Sequence, residues 1–119
     1  MNIKQILENN TLSLELIKNF FKRKVEGTFT EEHKEPFKEF ALNHALNTTT
    51  IESYIQSIPR ILFDLLDEND IFCSISKNKN NITCNVQGDT NKQYFNTRRQ
   101  AEEYAVEKGI TLLEEKLKL

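Results

Sequence analysis

Ile71-Phe72-Cys73-Ser74-Ile75-Ser76-Lys77-Asn78-Lys79-Asn80-Asn81-Ile82-Thr83-Cys84-Asn85-Val86-Gln87 is the stretch that decides the fold. In it the apolar period changes from 3.6 to 2. Ile71, Cys73 and Ile75 alternate with Phe72, Ser74 and Ser76. After the turn cluster Asn78 to Asn81, Ile82, Cys84 and Val86 alternate with Thr83, Asn85 and Gln87. Alternation of this kind marks strands with one buried face. Pairing Lys77 with Ile82 sets Ile75 opposite Cys84 and Cys73 opposite Val86, so all the apolar residues share a face. A second turn, Gly88-Asp89-Thr90-Asn91, leads to a short third strand over Lys92-Gln93-Tyr94-Phe95-Asn96. Pairing Gln87 with Lys92 sets Phe95 opposite Cys84.

C-terminal to the meander, Thr97-Arg98-Arg99-Gln100-Ala101 opens a long helix. Thr97 and Gln100 have the spacing of a capping box, in which each side chain takes the other's backbone N–H. Ala101, Ala105, Gly109 and Leu112 form a narrow stripe that lets the helix lie close on the sheet. Val106, Ile110, Leu113 and Leu117 widen it.

N-terminal to the meander the pattern is helical. Residues 2–9 read as a short lead-in. Ser13 is placed to cap a helix to about Glu26, with Leu14, Ile17, Phe21 and Val25 in phase and Gly27 as a left-handed terminator. Pro36 suits a first turn, and Phe37, Phe40, Ala41, His44 and Ala45 extend a helix to about residue 46. Thr49 and Glu52 suggest another capping box, opening a helix with Ile51, Tyr54, Ile55 and Ile58. Pro59 begins or kinks the next segment, which carries Leu62, Leu65 and Leu66 to about Asp67. The expectation is one α+β domain over 1–119: helices over about 1–67, then a three-stranded antiparallel meander and a long C-terminal helix packed on the sheet over about 70–119.

Composition bounds the function. The chain has 119 residues, 38% apolar and 29% charged, with a net charge of −2. Residues 73–101 carry five basic side chains and one acidic, the only strongly basic segment. A dedicated polyanion binder would be basic throughout, but a local basic patch remains open. Lys77, Lys79, Lys92, Arg98 and Arg99 make up that patch. Two cysteines are too few for a disulfide scaffold. In the register above, Cys73 and Cys84 sit diagonally, about 7–8 Å apart, beyond disulfide reach, and read as core thiols. His33 and His44 lack a third ligand at zinc spacing. Asp64, Asp67, Glu68 and Asp70 lack the ligand pattern of a calcium loop. There is no nucleophile elbow and no Gly-rich phosphate loop. No signal peptide or membrane span is expected, so the expected location is cytoplasmic.

The order α-β-β-β-α from about Pro59, with Arg98, Arg99 and Ala101 at the last helix start and Ala105 and Val106 following, resembles the double-stranded-RNA-binding domain. The resemblance implies that Arg98 and Arg99 grip phosphates across a groove. Glu102 stands where that family usually has a further Lys, and Asn78 to Asn81 lack its Gly-Pro-x-His loop. Tyr94 to Glu102 also resembles the strand-to-helix corner of the βββα arm-binding domains of phage-type integrases, which implies a sheet laid in DNA.

The leading expectation is a small non-enzymatic, cofactor-free binding protein, an accessory protein of a bacterium or phage, acting through protein–protein contact. Its motivation is an apparent surplus of apolar residues: Phe20, Phe21, Phe37, Phe40 and Phe72. A protein partner or a homodimer is expected. The homodimer is suggested by wide apolar faces on the helices at both ends. Nucleic-acid binding through the basic βββα segment is the alternative.

Overall fold

The computed structural model describes residues 1–87 and 93–119, and the turn Gly88 to Asn91 and Lys92 lie outside the described residues. In chain order the elements are α1 (Ile3–Asn9), α2 (Thr11–Glu26), α3 (Glu35–Ala45), α4 (Thr48–Ser57), a 3₁₀ turn (Pro59–Leu62), α5 (Phe63–Glu68), β1 (Cys73–Lys77), β2 (Ile82–Val86), β3 (Gln93–Phe95) and α6 (Arg98–Leu117). The fold is α+β, as the switch of period requires. The three strands form an antiparallel sheet in the order β1-β2-β3.

The β1–β2 register is the one the alternation demands: Cys73 pairs with Val86, Ile75 with Cys84 and Lys77 with Ile82. The β2–β3 register departs from the sequence reading by two residues. Phe95 pairs with Ile82, and Cys84 with Gln93. A slip of two keeps every side chain on its face, so alternation alone cannot detect it. In the observed register the Phe95 ring packs on α6, 5.4 Å, centroid to centroid, from Tyr104.

α6 is the centre of the molecule. Val106 and Ile110 face a cluster built from α1, α2, α4 and the 3₁₀ turn, including Leu7, Ile17, Ile55 and Leu62. Ala101, Ala105 and Leu113 face a second cluster with Leu66, Ile71, Cys84 and Val86. The helix therefore covers the sheet, as its small-residue stripe predicts, and is itself covered on another side. Gly109 lies in that stripe. A β-carbon there would fall 2.5 Å from Leu66 Cδ1.

Three helix ends differ from the sequence reading. Ser13 does not cap α2. The junction residue Asn10 turns its side-chain amide to the Ile6 carbonyl at 2.7 Å, serving the end of α1. The start of α2 is instead served by Glu114 from α6, which accepts the N–H groups of Leu12 at 3.3 Å and Ser13 at 2.8 Å. Gly27 is right-handed, with φ −65°, and the Thr28 hydroxyl donates to the Val25 carbonyl at 2.7 Å. α4 is capped by Asn47, whose side chain accepts the Thr49 N–H at 2.9 Å, and Thr49 lies inside the helix. Thr97 and Gln100 do form the expected capping box on α6.

Candidate functional site

The basic group is split by its surroundings. Lys77 ends β1 and Lys79 lies in the following turn, both exposed. Lys92 lies outside the described residues. Arg98 and Arg99 open α6, as predicted, but both hold partners within the chain. Arg98 Nε donates to Glu102 Oε1 at 3.1 Å, and Arg60 stands 3.9 Å from the same oxygen. The Glu102 side chain is only 8% exposed. A buried carboxylate needs paired charge, and the two arginines supply it. Arg99 Nε donates to Glu103 Oε1 at 3.1 Å, and its other nitrogens donate to the carbonyls of Ser57, at 3.1 Å, and Gln56. Those carbonyls close the last turn of α4, where acceptors lack intrahelical donors. Arg99 thus ties α4 to α6.

The thiols behave as core groups. Cys84 is buried and Cys73 half-buried, and no disulfide joins them. Burial, helped by Cys84, pushes the Cys73 thiol up to about 12. Its Sγ lies 3.9 Å from the Ala105 carbonyl.

Asp64, Asp67 and Glu68 line a groove with Phe20, Arg23 and Lys24. Arg23 Nη2 lies 2.9 Å from Glu68 Oε2, and Lys24 Nζ lies 3.8 Å from Asp64. The hydrogen bond to Glu68 raises the Arg23 guanidinium further above its ordinary value. α2 thus sets one cation against Glu68 and another against Asp64. Asp70 stands at the entry to the sheet in a left-handed conformation, φ 62°, which Asp tolerates better than most residues. Among the described residues no three His, Cys, Asp or Glu side chains gather as a metal site, and no helix is long and apolar enough to cross a membrane.

The aromatic residues divide cleanly. Phe20 and Phe21 belong to the core, with 2% and 5% exposure. They are not surplus. Phe37 and Phe40 are 52% and 72% exposed, and Phe72, on the outer face of the sheet, is 48% exposed. α3 buries none of its residues. It lies against α2 and touches the start of α4, with Leu42 and Leu46 lining the groove towards α2. At its N-terminus the His33 ring stacks on Phe37, with centroids 5.0 Å apart, and meets Phe29 edge-on at 5.9 Å. The Thr30 N–H donates to His33 Nδ1 at 2.9 Å. Sequence spacing identifies α3 as a helix with an apolar stripe. It does not reveal that Phe40 stays exposed, nor that Phe29 and His33 brace Phe37. Glu114 and Arg99 were also missed as structural ties, since their partners lie far away in the chain.

No protein-family model, curated protein or solved structure matches this chain.

Proposed function

We propose that this chain is a non-enzymatic binding protein that works through protein–protein contact, with the outer face of α3 as its contact surface. The observation that supports the reading is that an eleven-residue helix buries no residue while presenting Phe37 and Phe40 to solvent. Large apolar side chains grouped on one exposed helix face are more typical of recognition surfaces than of a monomer's ordinary exterior. A small accessory role in a bacterial or phage cytoplasm fits this reading. The test is a quantitative pull-down from extract of the native host, using the wild-type chain and Phe40→Glu as paired baits, followed by titration of the purified candidate. A partner enriched on the wild type and lost on the variant is expected. Identical enrichment profiles for the two baits would overturn the reading.

Nucleic-acid binding is the second reading. Lys77 and Lys79 favour it, both being exposed, one at the end of β1 and the other in the following turn. The likeness to the double-stranded-RNA-binding domain and to integrase arm-binding domains assigns the main phosphate contacts to Arg98 and Arg99. Here a phosphate must compete with Glu102, Glu103 and the carbonyls at the end of α4.

A further inference from the structure

The radius of gyration is 15.8 Å. A compact chain of this length is expected near 13.5 Å, at about 2.2 times the 0.38 power of its length. The accessible surface is 7760 Å², against about 6,700 Å² for a compact monomer of 14.0 kDa. The molecule thus leaves roughly 1,000 Å² more surface uncovered than a compact monomer of its mass. α3 contributes to it directly, since none of its residues is buried. The apolar faces of α2 and α6, which the sequence offers for dimerisation, are already occupied by the two cores.

We infer that the outer face of α3 is where a second copy of this chain docks, the two helices packing antiparallel around a two-fold axis between Phe40 and Ala41. This deepens the proposed function by naming the partner, and it rests on that reading. The α3 sequence suits the arrangement. Phe37, Phe40, Ala41 and His44 follow i, i+3, i+4, i+7 spacing, one continuous stripe. Laid antiparallel about that axis, Phe40 falls across the partner copy's Ala41, large against small. Phe37 falls across His44. At the edges of the stripe Lys38 faces Asn43, so no like charges oppose each other there. The two helices run antiparallel, so each first turn lies beside the partner helix's last turn and the helix dipoles oppose favourably. A two-fold interface requires this self-complementarity, and a stripe bounded by one sign of charge would lack it.

The test is sedimentation velocity of the full-length chain from 1 to 100 µM, with Phe40→Glu in parallel. The wild-type mass should rise from 14.0 kDa towards twice that value, and the variant should dissociate at least about thirtyfold more readily, as loss of a central aromatic anchor does. Because a variant can misfold, hydrogen exchange on the wild type alone supplies a second reading. Amides of residues 35–45 should gain protection between 1 and 100 µM, while those of β1 and β2 should not. A mass of 14.0 kDa at every concentration overturns the self-docking. So does a dimer that survives Phe40→Glu undiminished, or concentration-dependent protection confined to another element. The two proposals fail separately: a monomer that still captures a protein through Phe40 leaves the broader binding reading intact and shows that α3 serves a different partner.

Discussion

The Glu114 carboxylate accepts the backbone N–H of Ser13 at 2.8 Å, across 101 residues of chain, and takes that of Leu12 with its other oxygen. Leu12 and Ser13 are the second and third residues of α2. These are the donors that an N-cap side chain normally serves. A residue of the last helix thus caps the second. Glu114 is 3% exposed, so the bond is made where water cannot replace it. Ser13 returns the tie through its hydroxyl, 3.4 Å from the Ile110 carbonyl.

Glu114→Ala should therefore destabilise the fold by about 1–3 kcal/mol, the cost of leaving buried donors unmet. Glu114→Gln keeps an acceptor and loses only the charge–dipole share, about 0.3–1 kcal/mol. Urea unfolding at constant slope would show the order wild type, Gln, Ala. Equal losses for the two variants would mean that the cap contributes through packing alone.

Arg99→Ala removes donors from two α4 carbonyls and should cost about 0.5–1.5 kcal/mol. Arg99→Lys should recover little of it, since one ammonium cannot reproduce the forked pair. Arg98→Ala should cost about as much by leaving Glu102 to the more distant Arg60. A fold indifferent to both changes would reopen these arginines as phosphate ligands.

Duplex RNA at micromolar protein and low salt should give no retained complex. If one forms, about three phosphate contacts should give a log–log salt slope near −3. Lys77→Ala with Lys79→Ala should flatten that slope by roughly 2. A complex insensitive to both lysines would direct attention to Arg98 and Arg99.

Cys73 should alkylate slowly in the native protein, because the thiolate is the nucleophile and burial holds this thiol protonated to about 12, against an ordinary value of 9.0. The sign of the pH effect follows. Above pH 9 the unfolded chain loses the proton that the folded chain keeps, so this group lowers stability as pH rises from 9 towards 12 and has no effect below. Denaturation midpoints at pH 8 and pH 10 for wild type and Cys73→Ser would isolate it. Native labelling as fast as in denaturant would contradict the burial.

Gly109→Ala should destabilise the fold although alanine is the better helix former. The helix gain is about 1 kcal/mol, whereas forcing a β-carbon against the buried Leu66 costs about 1–3 kcal/mol. A net loss of about 1 kcal/mol, read as a fall of roughly 3–6 °C in Tm, is expected. A rise in Tm would show that Leu66 has room to turn away.

What the sequence by itself determined is local. The period-2 runs from Ile71 to Val86 dictate the first hairpin and its face, since a slip of one residue would turn Ile75 and Cys84 to water. Thr97 and Gln100 cap α6 because both partners lie within one turn. The small stripe from Ala101 to Gly109 announces a close neighbour. The tertiary structure decided what depends on distant chain. It shifted β3 by two residues, where alternation is silent and Tyr104 packs against Phe95. It assigned the α2 cap to Glu114 rather than Ser13, because Asn10 is already used by α1. It engaged Arg98 and Arg99, which read as open positive charge, on acids and carbonyls of other turns. It also left Phe40 and half of Phe37 exposed while burying Phe20 and Phe21. Helical spacing says which residues share a face. Only the packing of the whole chain says whether anything lies against that face.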